Sequence, residues 1–565
     1  MISRVRTRKI GLILGPIIFF VILFLPINGN ENIDSESDQP PNNNDKGTHL
    51  SFSAQLVLAS TFWMAIWWLT EAIPIYVTAL LPLIIFPSLA ITTLGDTAAS
   101  YADRIIFLFL GGFMLAKAVE KTHLHKRFAL NILNVFGTSP KYVVAAFMIV
   151  TGILSGWMSN TATTMLMLPI AAAVVSQIGI KGKKVNYKVE DKTPDQGQDK
   201  IENDNSEEES RFGLCLMLSI AYSASIGGMA TLIGTPPNAI FASLSKSMLD
   251  IDISFGQWLL IGIPISVLSL IVAWFYMVHL GVKITDIKSM EGGKKIIKTK
   301  LEEIGKISID EKMVAAVFIV TALAWITRGL FWGDLFPMID DSTIAIAAAI
   351  SLFLIPSRSS SSKVSIGIEK DTLNIESRDN DKKNNNGNLN NKNFRNKNIK
   401  EENKIMPRIL DWESTVSIPW GVLILIGGGL ALANAFTTTG LDTWISNQLV
   451  FVENLSYILI VFVIIVIAVI FGEIISNTAT AALLIPISIS LATTISLDPL
   501  LLMIPLTIAT SYGFIMPIGT PPNAIVFGSK YVTAPKMAKA GFPLDLIGIV
   551  MVTALSTLMV PLIFS

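Results

Sequence analysis

Two short polar words, each present twice in a chain of 565 residues, hold the side chains best suited to chemistry. Ser159-Asn160-Thr161-Ala162-Thr163 returns as Ser476-Asn477-Thr478-Ala479-Thr480. Ile233-Gly234-Thr235-Pro236-Pro237-Asn238-Ala239-Ile240 returns as Ile518-Gly519-Thr520-Pro521-Pro522-Asn523-Ala524-Ile525. Hydroxyl, amide and main-chain carbonyl oxygens at such words are hard ligands of the kind that hold alkali cations in broken-helix transporters. Helices that start at them offer unpaired N–H groups and a partial positive charge, which suit an anion. The chemistry foreseen is the binding of an anion together with small cations.

The elements that carry these words form a duplication. The first pair is offset by 317 residues (476 − 159) and the second by 285 (519 − 234), so a single insertion in the first half reconciles them. The polar stretch from Lys181 to Arg211 supplies it. Gly111-Gly112 and Leu115-Ala116-Lys117-Ala118 match Gly428-Gly429 and Leu432-Ala433-Asn434-Ala435 at the 317 offset, which extends the repeat backward.

Around the words the chain is apolar: 51% of residues are hydrophobic and 15% charged, as in a polytopic helical membrane protein. The spans read from the sequence are 10–26, 54–72, 74–92, 104–119, 213–246, 256–281, 311–330, 342–357, 417–436, 498–529 and 541–564. The stretches 140–177 and 457–494, interrupted by the Ser-Asn-Thr word, read as re-entrant hairpins with Ser159 and Ser476 capping their returning arms. In Thr235-Pro236-Pro237 and Thr520-Pro521-Pro522 a capping hydroxyl precedes proline at the first helical position, so a helix restarts there. Both surrounding spans are therefore expected to be broken within the membrane, with backbone exposed that only protein or a wet cavity can accommodate.

Arg4, Arg6, Arg8 and Lys9 precede the first span, whereas the loop 28–50 is acidic, which places the N-terminus in the cytoplasm of a multi-pass protein of the cell membrane. Lys294–Lys300, the segment 358–408 and Lys530–Lys539 then face the same side. The Asn/Lys-rich part of 358–408 and the acidic stretch Asp195–Glu209 read as disordered cytoplasmic insertions. Cys215 is the only cysteine, so no intrachain disulfide forms. Zero net charge gives no footprint for nucleic acid. His-Glu-x-x-His and P-loop patterns are absent, so the protein is not read as an enzyme. His123 and His125 belong to an interfacial amphipathic helix around 121–127. Glu71 reads equally as a turn cap or a working acid, and Glu473, three residues before Ser476, is the stronger membrane acid.

The paired words, with Trp63-Met64-Ala65-Ile66-Trp67-Trp68-Leu69-Thr70-Glu71-Ala72-Ile73-Pro74, resemble the divalent anion:sodium symporters, the INDY-type dicarboxylate, citrate and sulfate carriers, over nearly the whole chain. The resemblance implies an all-α inverted-repeat elevator fold with about 11 transmembrane helices and two re-entrant hairpins, assembled as a homodimer. It implies scaffold parts at 1–138 and 311–455 and transport parts at 139–310 and 456–565. The substrate would lie against Asn160, Thr161, Asn477, Thr478, Thr520 and Pro521. Sodium, the coupling ion, would lie at Ser155, Ser159, Asn160 and Gly234, and again at Gly472, Ile475, Asn477 and Gly519. Relatives carry threonine where this chain has Gly472, a harmless change if only the carbonyl coordinates. Threonine third in both tips implies C4-dicarboxylates such as succinate, malate or fumarate. Sodium-independent dicarboxylate exchange and an anion channel are the alternatives.

Overall fold

The computed structural model describes residues 2–26, 50–136, 139–181, 197–284, 291–333, 335–358 and 407–564. These residues are almost wholly helical. Eight of the described helices are long and apolar enough to cross a membrane, and a helix spans because it satisfies its backbone internally where no water can.

The helix Gly197–Gly228 sits at the centre: 94% of its apolar window is buried, against 33% for Ala534–Phe564 and 39% for Phe255–Gly281, whose outer faces are left for lipid. It packs against both arms of the first hairpin, Pro140–Ser155 and Asn160–Lys181. The second hairpin, Tyr457–Ile474 and Asn477–Thr494, packs likewise on Leu500–Ala509. Both spans foreseen as broken are broken. Gly197–Gly228 stops before the helix Pro236–Leu249, and Leu500–Ala509 stops before Pro521–Phe527. The resumed half-helices then cross over: Pro236–Leu249 packs on the second hairpin's returning arm and Pro521–Phe527 on the first hairpin's. Each site therefore borrows a wall from the other repeat.

Glycines allow the closest approaches. A side chain on Gly111 would collide with the backbone of Ala345, and one on Gly427 with Tyr101. In this way Arg104–Lys121 seats against Asp341–Leu354, and Trp420–Thr439 against Ser100–Ala102.

Several expectations are corrected. The stretch 74–92 is not one helix: it divides at Pro82 into the short helices Ile75–Thr78 and Pro82–Ser88, because proline removes a ladder donor. The acidic stretch is helical from Gly197, since a helix already nucleated in the core extends at little cost through Glu, Gln and Lys. The interfacial helix runs over Leu124–Val135, starting after a left-handed His123. The bulk of the Lys181–Arg211 insertion before Gly197, and residues 359–406, lie outside the described residues.

The two ends of the second insertion meet. Ser357 N–H donates to Pro407 O at 2.7 Å and Ile409 N–H to Ile355 O at 3.1 Å. Because the flanking chain is closed on itself, removing 382–404 is expected to leave initial uptake rates and substrate half-saturation within about twofold of wild type. Proteoliposome uptake with the deletion variant checks this.

Candidate functional site

Each hairpin tip is a turn between two helices whose returning arm starts at the asparagine, so Asn160 and Asn477 hold the first helical position. Ser159 Oγ accepts the N–H of Ala162 at 3.2 Å, as its capping role requires. Ser476 differs: its side chain makes no cap, and its carbonyl takes the N–H of Thr480 at 2.9 Å. The restarts differ too. Thr520 Oγ1 accepts the N–H of Asn523 at 3.3 Å, whereas at Thr235 the carbonyl receives the Asn238 N–H at 3.2 Å.

In the first half, Ser155 Oγ lies 2.6 Å from Asn160 Oδ1 and 2.7 Å from the carbonyl of Ala224. One hydroxyl proton cannot fully serve two acceptors, so three oxygens gather with a deficit of donors. A cation completes such a cluster. Beside it, a side chain added at Gly234 would run into the carbonyl oxygens of Gly228 and Gly156, the latter 3.1 Å away. Ser155, Ser159, Asn160 and Gly234 are thus brought together, with Gly156 and Gly228 carbonyls as additional oxygens. A Cβ on Gly228 would in turn touch Asn160 Oδ1 at 2.5 Å.

The second half repeats the plan with different parts. A Cβ on Gly519 would meet Glu473 Oε2 at 3.2 Å and the carbonyls of Gly472 and Met516 at 3.4 Å. Gly472, at the position equivalent to Ser155, brings no hydroxyl. Asn477 Oδ1 is accordingly buried without a hydrogen-bond partner. A buried acceptor left unmatched costs about 1–3 kcal/mol, which a bound cation offsets. Ile475 lies buried beside the tip. Thr478 and Thr520 are also buried, Asn160, Thr161 and Asn477 are half-buried, and Pro521 is exposed.

The unwound segments are held by asparagines of the repeated word and by two buried acids. Asn238 Nδ2 donates to the carbonyl of Thr231 at 2.8 Å, and its counterpart Asn523 to those of Gly513 and Met516 at 2.8 and 3.0 Å. Both asparagines stand in the repeated word, so the signal was present. Glu473 accepts the N–H groups of Ile515 and Met516 at 2.8 Å each, and Asp545 that of Phe514 at 3.2 Å. Asp545 was overlooked although it lies inside an apolar stretch, where an acid is a functional signal by itself. Glu71 resolves as a left-handed helix cap whose carboxylate pairs with Arg8 at the exposed surface. His125 is buried with Nδ1 against Val119 O, and no group of three metal-ligating side chains occurs among the described residues.

With that geometry in place, comparison with known proteins decides the family. The model of the sodium:sulfate symporter transmembrane region matches residues 46–565. The chain belongs to this family. A sodium-dependent dicarboxylate transporter of Staphylococcus saprophyticus is 38% identical over 557 residues, 98% of this chain and 92% of the relative. One of Staphylococcus aureus is 36% identical over 562 residues, again 98% and 92%. Among solved structures, the YdaH transporter of Alcanivorax borkumensis aligns with TM-score 0.50 at 12% identity, covering 83% of this chain and 87% of its own. Neisseria gonorrhoeae MtrF aligns at 0.51 and 11%, covering 98% and 96%. These two likenesses concern the fold alone.

Two predictions follow from the geometry of the symporter's tips. Asn160→Ala and Asn477→Ala each delete an oxygen of the cluster and are expected to lower uptake at least about tenfold, the scale of 1–3 kcal/mol per polar interaction. Uptake at matched expression, with gel filtration to confirm folding, measures it. Gly472→Ser would place a hydroxyl near Asn477 Oδ1, as Ser155 does for Asn160, at the cost of a slight displacement of the Tyr512 carbonyl 3.0 Å from the new Cβ. Sodium half-saturation of this variant is expected to fall about fivefold, the worth of roughly 1 kcal/mol, in sodium titrations of initial uptake.

Proposed function

We propose that the protein is a sodium-coupled symporter of C4-dicarboxylates such as succinate, malate or fumarate, working by alternating access. The observation that carries the reading is the pair of donor-poor oxygen clusters at Gly234 and Gly519, each beside the start of a hairpin's returning helix. Sodium fits the oxygens, and the dicarboxylate fits the N–H groups at the starts of the helices that begin at Asn160 and Asn477. Asn160, Thr161, Asn477, Thr478, Thr520 and Pro521 hold the substrate. Ser155, Ser159, Asn160 and Gly234 hold one sodium, and Gly472, Ile475, Asn477 and Gly519 the second. An asparagine that serves both ligands ties their binding together, because neither site is complete until its amide is fixed.

In this reading the hairpins, broken spans and adjoining helices of 139–310 and 456–565 move as transport parts against the scaffold of 1–138 and 311–455, in an elevator of inverted repeats. The protein resides in the cell membrane as a homodimer with its N-termini in the cytoplasm. The names of the staphylococcal relatives support sodium coupling and the dicarboxylate class. Chain identity over nearly full length makes the transfer reasonable.

The test is succinate uptake into proteoliposomes. An inward sodium gradient is expected to drive accumulation, and internal succinate to accelerate entry of labelled succinate by counterflow. Uptake indifferent to sodium but dependent on internal dicarboxylate would establish exchange instead, and sodium-independent entry without counterflow would establish a channel.

A further inference from the structure

The two oxygen clusters are built on the same plan but their unwound segments are anchored differently, and the difference falls on one residue. In the first half, Thr231 Oγ1 donates to the carbonyl of Gly156, fixing the unwound segment to the hairpin. The duplication carries Gly156 onto Glu473 and Thr231 onto Met516. Met516 has no hydroxyl to donate. The link between hairpin and unwound segment is nevertheless present with its direction of donation kept: the Met516 N–H now donates, and the Glu473 carboxylate receives it at 2.8 Å while taking the Ile515 N–H at the same distance.

Asp545, from the last helix, takes the preceding N–H, that of Phe514, and Tyr222 donates to the Phe514 carbonyl at 3.0 Å. Three consecutive amides of the unwound segment, those of Phe514, Ile515 and Met516, are thereby held by two carboxylates. The Met516 carbonyl stands 3.4 Å from the position a Gly519 side chain would take, with Glu473 Oε2 at 3.2 Å from the same point. Glu473 is 7% exposed, and no lysine or arginine pairs with it among the described residues.

We propose that Glu473 is a positioning residue for the second sodium: by holding the amides of Ile515 and Met516 it fixes, beside the cluster, the unwound segment that carries the Met516 carbonyl. It supplies to the second half what the Thr231–Gly156 bond supplies to the first. This rests on the reading of Gly472, Ile475, Asn477 and Gly519 as a sodium site. A glutamine cannot replace it, since its amide nitrogen has no acceptor lone pair to offer and would face a second donor, leaving one N–H unpartnered.

The experiment is a sodium titration of initial succinate uptake in proteoliposomes for wild type, Glu473→Gln, Glu473→Asp and Asp545→Leu. Half-saturation for succinate is measured separately at saturating sodium. Glu473→Gln is expected to raise the sodium half-saturation at least about tenfold while succinate half-saturation at saturating sodium changes less than about threefold. Glu473→Asp should recover part of the sodium affinity. Sodium-dependent thermal stabilisation of the purified variants in detergent should shift in the same order. A Glu473→Gln protein with wild-type sodium half-saturation, or one losing only maximal rate, overturns the proposal. Where Glu473→Gln does not fold, Asp545→Leu decides: it removes the acceptor of the adjacent Phe514 amide and must shift the sodium titration in the same direction, and an unchanged titration overturns the proposal. A wild type indifferent to sodium overturns both this role and the symport reading, whereas a sodium-dependent wild type with an unmoved Glu473→Gln overturns this role alone.

Discussion

The structure is organised around a single requirement: backbone that leaves the helix within the membrane must find partners inside the protein, because lipid provides none. Two spans break, at 229–235 and at 510–520, and each strips N–H and C=O groups of their helical bonds. The surrounding residues answer those groups one by one. Trp258 Nε1 and Asn238 reach the Met229 carbonyl, Ser266 Oγ reaches that of Ile226, and Asn523, Glu473, Asp545 and Tyr222 cover the second break. The oxygens that are not answered are therefore informative. Asn477 Oδ1 is one of them, and it points into the cluster where a cation would sit.

A duplicated site invites the assumption that its halves are equivalent, and the side chains contradict it. Ser155 becomes Gly472, Gly156 becomes Glu473 and Thr231 becomes Met516. The first cluster is neutral and holds its hydroxyl, while the second lacks the hydroxyl and gains a carboxylate at its edge. Removing a hydroxyl takes one oxygen away from a cation, and the Glu473 carboxylate oxygen at the edge of the cluster adds one. The two changes oppose each other, so the second site need not be the weaker one. In the proposed reading the halves hold the same kind of ion with different sets of oxygens.

Much of this architecture was legible in the sequence. The breaks, the hairpins and the positions of both asparagines follow from repeated words whose Pro-Pro and Ser-Asn-Thr residues dictate local backbone in any context. What the sequence hid was of two kinds. The division of 74–92 into short helices is a contest between hydropathy and the proline at Pro82 that hydropathy alone decides wrongly. The partners of the unwound segments are long-range: Asp545 lies 31 residues from Phe514 and Tyr222 lies 292 residues from it, and no local pattern pairs them. The crossing of each half-helix onto the opposite hairpin is likewise a property of packing, visible only once both repeats are folded together.

The contacts between the proposed transport parts and scaffold show how such a molecule can be both specific and movable. Phe255 N–H donates to Asp341 at 2.8 Å, Ser243 Oγ to Asp103 at 2.8 Å, and Arg104 pairs with Asp252 at 2.7 Å with side chains 31% and 42% in solvent. The last is worth at most about 1 kcal/mol in that setting, and a buried bond to a carboxylate about 1.5–3. Trp157, between Ser155 and Ser159 on the first tip, adds rings at 4.8 Å to Phe318 and 6.5 Å to Trp325. Its counterpart in the second repeat, Ile474, is 56% exposed and meets no such slot. Two tips made from one duplicated word thus have different surroundings: Trp157 rests on rings of the helix Ile309–Thr327, while Ile474 is exposed. In the proposed elevator such a difference gives the transport parts one aromatic hold on the scaffold to release and to remake, at the first tip and not at the second.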